Sequence, residues 1–326
     1  MVKKNVVFLF PGQGAQYQGM ALDFLNSGSP AVKRLFDEAS VIFEKDAEAW
    51  LRDSDTDTLK RTDVSQPVIT LANLAAAAFL GEQGYVPAAC AGFSLGEYAA
   101  LVCCGVLEAA DCFRLVKARG EAMQKTADRL RTEGGDAAPG MAAVIGIDPK
   151  QVEELIAGWS AAGLKDLYAA NINSPKQVSV SGTSAALAEA ETRFKEAGAK
   201  RVIRLQVAGP FHSPLMADSV ENFRPALEAV TFHDPLVPLY SNVTGKLVGS
   251  GEEAKRLALL QITSPVRWVE EEAAIASAGG FEACLEAGPG KVLQGLWKDS
   301  ASTVDGSEIP CYAAGTVEDI KKLEEV

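Results

Sequence analysis

The sequence predicts an α/β fold: a hydrolase-like parallel-sheet domain with an inserted ferredoxin-like (β-α-β-β-α-β) small domain. Three observations predict it. Apolar runs such as Val6–Phe10 and Val86–Ala91 have the character of strands covered on both faces, as in a parallel sheet. The second run leads through Gly92-Phe93-Ser94-Leu95-Gly96 into helical text, so a G-x-S-x-G pentapeptide sits where a strand becomes a helix. Residues 141–207 then alternate short strands and helices in the order of the split β-α-β-β-α-β unit. A chain of 326 residues exceeds one ordinary core, and the expected division is a large domain of residues 1–135 and 208–326 with residues 136–207 inserted.

Taken in order, Val6–Phe10 breaks at Pro11-Gly12-Gln13-Gly14, a glycine loop with neither the P-loop ending nor the dinucleotide spacing. Residues 20–50 carry helical spacing in Leu22, Leu25, Val32, Leu35, Phe36, Ala39 and Ile42. An alanine-rich helix over Val68–Leu80 is expected to begin after Pro67, where a proline fits the first turn. Beyond the pentapeptide, Ala109–Arg131 reads as a helix holding Arg114, Lys117 and Arg119, and Thr132–Gly140 has the composition of a linker. The small domain follows with strands at Met141–Ile147, Leu167–Asn171, Gln177–Ser181 and Arg201–Val207 and helices at Pro149–Ala161 and Ser184–Ala197. The large domain resumes near Ala208, continues through a strand at Leu236–Ser241 and closes with helices and a final Gly-Pro-Gly-Lys-Val-Leu turn at residues 288–293.

Composition removes several function classes. A net charge of −12 opposes nucleic acid or an anionic membrane surface as the main partner, so an anionic ligand must be met by locally placed basic groups. Six cysteines show no C-x-x-C spacing and indicate free thiols in a reducing, cytoplasmic compartment. The N-terminal lysines and apolar run imitate a signal peptide, but the run is five residues long and ends in Pro-Gly. No stretch approaches the ~18 apolar residues of a membrane span, so a soluble protein is expected.

In a strand–turn–helix context, glycines on either side of Ser94 permit a turn too sharp for a Cβ and hold the Ser94 Oγ above the sheet. The helix that follows offers free N–H groups, among them that of Leu95, to an oxyanion formed at an acyl group on Ser94. A serine nucleophile needs a base, and imidazole titrates near working pH. The chain has two histidines. His212 lies in a rigid Gly-Pro-Phe-His-Ser-Pro loop and is the better candidate; His233 reads as part of a surface turn. Two widely spaced histidines and no cysteine pairs offer no zinc-like spacing, so no metal is expected.

The segments FPGQGAQ, GFSLGEYAAL, VKARGEAMQ, GMAAVIG, NINSPKQVSVSG, PFHSPLM, SNVTGK, QITSPVRW and EAGPGKVLQGL, in this order and over nearly the whole chain, resemble the malonyl-CoA:acyl carrier protein transacylases. The resemblance implies a hydrolase-like α/β domain with an inserted ferredoxin-like domain, the active site between them, and ping-pong transfer of a malonyl group through an acyl-Ser94, with malonyl-CoA and acyl carrier protein as partners. No cofactor and a monomer are expected. It implies that His212 takes the Ser94 proton and is oriented by the backbone carbonyl of Gln261 rather than by an acid. It places the oxyanion hole at the N–H groups of Gln13 and Leu95. Arg119 matches the arginine that grips the malonyl carboxylate, a task suited to a planar guanidinium with two parallel donors. Phe211 resembles the bulky residue that leaves no room for a 2-methyl group. The chain departs from the pattern at Phe93, commonly histidine, which withdraws a polar group from the acyl pocket.

Three function classes are compatible with these residues: malonyl transfer to a carrier thiol, of fatty-acid or polyketide synthesis; a serine acyl hydrolase on the same scaffold; and a non-catalytic docking module. The docking module is weakest, because Ser94, His212 and Arg119 are all retained. Arg119 separates the other two, since a general esterase has no use for a buried cation facing its acyl pocket.

Overall fold

The structure, a computed structural model, describes residues 5–301 and 309–323. Lys3 and Lys4 of the signal-like run lie outside the described residues. Ten strands occur among the described residues: β1 (Val6–Phe10), β2 (Pro87–Gly92), β3 (Gly140–Ile145), β4 (Leu167–Ser174), β5 (Gln177–Gly182), β6 (Arg201–Arg204), β7 (Tyr240–Ser241), β8 (Lys246–Leu247), β9 (Ala283–Glu286) and β10 (Cys311–Ala313). The first sheet has the order β10-β9-β1-β2 and is parallel throughout. Its central strand β1 is buried along its whole length, because helices cover both faces. Phe8 and Phe10 join the core built with helices Thr62–Glu82 and Ala109–Gly134, while Val7 and Leu9 pack toward Trp268, Ile275 and Trp297 on the opposite face. A run without polar alternation is the expected signature of such a strand.

The second sheet has the order β4-β5-β3-β6, with every pair antiparallel, and helices Pro149–Ala161 and Ser184–Glu196 complete its core around Val144, Val178, Val180 and Phe194. The element order β-α-β-β-α-β and this strand order are those of a ferredoxin-like unit. The edge of β4 is tied to the segment before helix Trp268–Ala278, which packs on the first sheet: Ile172 N–H donates to Val266 O and Val266 N–H to Ala170 O, each at 2.8 Å.

Several boundaries differ from the sequence reading, each for a local or tertiary reason. The helical text of residues 20–50 is three helices, Leu22–Asn26, Pro30–Phe43 and Ala47–Asp53. Ser29 Oγ caps the second, with Pro30 in its first turn, and Asp46 caps the third after Glu44 turns left-handed at φ 56°. Pro67 does not open its helix but lies inside Thr62–Glu82. The early start is fixed from outside: Thr62 N–H donates to Gln124 Oε1 at 2.8 Å, and Gly120 lets the first turn approach so closely that a Cβ there would stand 2.9 Å from Thr62 O. Pro67 then forfeits only the bond to the carbonyl four residues back, close to the helix start. Among the described residues this is also the one helix long and apolar enough to cross a membrane, and 89% of that window is buried inside the protein, as for a core helix. The expected linker begins late, since helix Ala109–Gly134 runs into it. The strand expected over Leu236–Ser241 reduces to β7 and a bridge between Leu239 and Cys90. The turn expected over residues 288–293 ends early, since Val292 and Leu293 open helix Val292–Ala301. Strands β8, β9 and β10, of two, four and three residues, lie outside the sequence expectation.

Candidate active site

The first sheet presents Ser94 at the C-terminal end of β2, where open parallel sheets place their ligands. The ladder with β1 continues through Phe93 N–H, which donates to Phe10 O at 2.9 Å, and Ser94 then turns into the left-handed region at φ 50°. The flanking glycines are required by close approach. A Cβ on Gly96 would overlap Phe10 O, and one on Gly92 would overlap the Gly96 backbone. Helix Gly96–Cys103 starts directly behind the serine.

Ser94 Oγ stands 2.7 Å from His212 Nε2. His212 is itself left-handed at φ 55°, and its Nδ1 lies 2.9 Å from Gln261 O and 3.2 Å from Ser264 O. Two carbonyl oxygens can only accept, so Nδ1 carries the ring proton and Nε2 is left with its lone pair toward the serine hydroxyl. Burial, and after it the nearby Arg119 charge, lowers the imidazole pKa from 6.5 to about 4 despite the two carbonyls. The ring is therefore neutral at pH 7. His233, the alternative, is exposed and does not line the cleft.

The cleft, of about 470 Å³, lies between the two sheets and is lined by Gln13, Ser94, Arg119, Asn171, Phe211 and His212 among others. The Pro11–Gly14 loop is pressed against the turn, since a Cβ on Gly12 would overlap Phe93 O. Neither Gln13 N–H nor Leu95 N–H donates to a group among the described residues. Phe93 lines the cleft and packs edge-on against Trp268, with ring centroids 5.5 Å apart. Phe211 is 7% exposed and shares the wall with Met123 and Met141; its carbonyl accepts from Ser181 Oγ at 2.5 Å, which ties the His212 loop to β5.

Arg119 is 1% exposed, and burial lowers its pKa. Its guanidinium donates to Gln66 Oε1 at 2.8 Å and Gln261 Oε1 at 2.9 Å and lies over the Tyr98 ring, while Nε has no partner. Among the described residues no carboxylate forms a salt bridge with it. A buried cation whose side-chain hydrogen bonds go to neutral amide oxygens, with the Tyr98 ring and the Glu97 carboxyl as further electrostatic neighbours, is poised for an anion from the cleft.

The sequence reading missed four contributors: Ser264, whose carbonyl shares the His212 proton, and Gln66, Glu97 and Asn242. Glu97 is fully buried, with its carboxyl pushed up to about 7 by burial against the pull of donors from Asn242 and Gln261. A lone acid in the apolar helix that follows the elbow was the available signal. Asn242 gave none beyond its place in a Ser-Asn-Val-Thr-Gly turn. Among the described residues no group of three or more His, Cys, Asp and Glu is arranged to hold a metal.

Comparison with known proteins decides the family. The sequence pattern of the acyl transferase domain matches residues 7–321. The chain belongs to the acyl transferase domain family. This acyl transferase is 38% identical over 294 residues to the malonyl CoA-acyl carrier protein transacylase of Bacillus subtilis strain 168, covering 90% of each chain. It is 38% identical over 303 residues to the enzyme of the same name from Escherichia coli K12, covering 93% of this chain and 94% of that one. The crystal structure of an acyl carrier protein S-malonyltransferase from Vibrio cholerae superposes with a TM-score of 0.87 at 34% identity, covering 98% of this acyl transferase and 99% of that chain. A malonyl-transacylase solved in complex with a type II polyketide acyl carrier protein also matches with a TM-score of 0.87, at 32% identity over 99% of this acyl transferase and 100% of that chain.

Proposed function

We propose that this acyl transferase moves the malonyl group of malonyl-CoA to the phosphopantetheine thiol of acyl carrier protein through a malonyl-Ser94 intermediate, supplying extender units for fatty-acid synthesis. Ser94 Oγ attacks the thioester carbonyl as its proton passes to His212 Nε2. The oxyanion is received by the N–H groups of Gln13 and Leu95. As the C–S bond breaks, His212 returns the proton to the departing CoA sulfur. The carrier thiol then gives its proton to His212 and attacks the acyl-serine carbonyl; as the ester C–O bond breaks, His212 passes that proton to Ser94 Oγ, and the malonyl thioester leaves with Ser94 and His212 restored. Arg119 holds the carboxylate throughout, with Gln66 and Gln261 fixing its plane.

The observation that carries this reading is Arg119: a fully buried guanidinium without a carboxylate partner, on the wall of the cleft that holds Ser94 and His212. The division into residues 1–135 with 208–326 and an insertion at 136–207 puts the cleft at the seam between the two units. A cytoplasmic setting is supported by six cysteines that are all free. After mixing with malonyl-CoA, intact-mass analysis and peptide mapping should find one malonyl adduct, on Ser94, discharged by unloaded carrier protein. An adduct elsewhere, or discharge to water at an equal rate with and without carrier, would reject transfer through Ser94.

Selectivity against a 2-methyl group falls to Phe211. One methyl group in an apolar pocket is worth ~1–3 kcal/mol, so Phe211→Ser is expected to relax rejection of methylmalonyl-CoA by roughly ten- to two-hundred-fold. Comparing kcat/KM for the two thioesters in parent and variant checks it.

A net charge of −12 suits an acidic carrier badly, so docking falls to local cations at the cleft mouth. Lys176 and Lys291 each stand next to a cleft-lining residue, Gln177 and Val292. Lys200 and Arg201 are exposed at the start of β6 on the small sheet. Lys195 already pairs with Glu191 at 2.8 Å and Lys291 with Asp319 at 3.9 Å, and Lys291 and Lys298 both line a separate hollow near Cys311. Transfer to the carrier should weaken as salt rises above about 0.1 M, where exposed charges are screened beyond ~10 Å. A second half-reaction indifferent to salt would count against this docking mode.

A further inference from the structure

On the edge of β2 away from β1, backbone pairing starts and then stops. Cys90 N–H donates to Pro238 O at 2.9 Å, and Cys90 bridges to Leu239 in parallel. Two and four residues further on, Gly92 C=O and Ser94 N–H face the same side, but the neighbouring backbone has turned away at β7. Both groups are met by one side chain. Asn242 Nδ2 donates to Gly92 O at 2.7 Å, and Asn242 Oδ1 accepts from Ser94 N–H at 2.6 Å. A carboxamide carries the donor and acceptor of a peptide group, so Asn242 continues the ladder where the strand cannot.

The other polar groups of Asn242 are also engaged. Its second Nδ2 hydrogen goes to Glu271 Oε1 at 2.8 Å, its N–H to Glu97 Oε2 at 2.8 Å, and its carbonyl accepts from Arg267 N–H at 2.8 Å. The residue is fully buried. Gln261 Nε2, which also donates to Ser94 O at 3.0 Å, lies 3.3 Å from Asn242 Oδ1. The residue whose carbonyl holds His212 thus touches the clamp at its Ser94 end, through both Ser94 O and Asn242 Oδ1.

We infer that Asn242 is the positioning residue of the nucleophile: its side-chain amide spans Gly92 and Ser94, holds Ser94 in its left-handed conformation and keeps Oγ on His212 Nε2. This rests on the reading of Ser94 as the acyl acceptor. The clamp takes up the Ser94 N–H and leaves the next one, of Leu95, free for the oxyanion. No part of Asn242 lines the cleft, so its loss acts on the reacting geometry and not on the substrate contacts.

The test is single-turnover acylation by malonyl-CoA, read by intact mass over a range of concentrations. Asn242→Ala is expected to lower the limiting rate constant by about 10²-fold, the effect of a misplacement near 1 Å, while the half-saturating concentration stays within about threefold. Thr244→Ala, on the same turn and bonded to Lys246 N–H, should keep the parent rate constant. If Asn242→Ala does not fold, Asn242→Asp decides. The carboxyl group that this substitution introduces keeps the acceptor for Ser94 N–H when ionised but turns an oxygen on Gly92 O, whereas its protonated form restores a donor there. The rate constant of the variant relative to the parent should rise at least about tenfold from pH 8 to pH 5.5. Glu97 on the following helix, Glu271 on helix Trp268–Ala278, and Arg119 and His212 beyond Gln261 titrate or bear charge in both proteins, so the ratio removes their shared effect. An unchanged rate constant in Asn242→Ala, a loss confined to the half-saturating concentration, or a pH-independent ratio for Asn242→Asp would overturn the inference. A parent without a Ser94 adduct would instead overturn the reading on which it rests.

Discussion

Replacing His212 by alanine is expected to slow acylation of Ser94 by about 10⁴- to 10⁶-fold, the range in which serine enzymes lose activity when their base is removed. The geometry leaves no substitute. Nδ1 is committed to the carbonyls of Gln261 and Ser264, Nε2 is 2.7 Å from the Ser94 oxygen, and His233 is exposed and off the cleft. The residual rate is what the oxyanion donors and binding supply without proton transfer. Because a pKa of about 4 keeps the imidazole neutral, His212 should add no acid limb to the parent acylation rate between neutral pH and about pH 5, and its limb should appear as pH drops through about 4; a change near 7 would report the Glu97 carboxyl instead. A free imidazole would place that limb near 6.5. Single-turnover rates of parent and His212→Ala across this span check both statements; a loss below about tenfold would assign the proton to another group.

How much of this was legible in the sequence depends on the distance over which each constraint acts. The elbow was legible because its demand is local: Gly92 and Gly96 are set by the turn they make around Ser94, and a pentapeptide records it. The second sheet was legible because Val178 and Val180 alternate and each helix is bracketed by turn residues, Asp148 and Thr183 capping the two helices. The roles of Gln261, Gln13 and Arg119 came from resemblance alone. Periodicity gives an arginine within a long helix no reason to be buried. The burial is imposed by Gln66 and Gln261, 53 and 142 residues away in the chain. Asn242 was illegible for the same reason, since its partners Gly92 and Ser94 are 150 and 148 residues distant. Pro67 misled because the helix start is fixed by Gln124 and Gly120 from another helix, and tertiary contacts of that kind override a local preference.

Arg119→Ala is expected to lower malonyl transfer by roughly 10²- to 10⁴-fold while transfer from acetyl-CoA holds or rises. Leaving a buried carboxylate without its partner costs ~3–5 kcal/mol, and each ~1.4 kcal/mol is tenfold in rate. Acetyl-CoA brings no carboxylate and loses nothing, and the cation that acetyl-CoA would leave unpaired in the parent is gone. A structural role for Arg119 would produce a different pattern, because the guanidinium also bonds Gln261 Oε1 and the Gln261 carbonyl orients His212. If that were its main work, acetyl and malonyl transfer would fall together. A second readout separates the two. The Arg119 charge is the second-largest influence lowering the His212 pKa, after burial, so removing it, and admitting water to the space, both raise that pKa. The acid limb of acetyl transfer should therefore move upward from about 4 in the variant, while its plateau near pH 7 stays at or above that of the parent. An acid limb left in place beside an equal loss of both activities would make Arg119 a scaffold residue and remove the physical ground for the malonyl assignment.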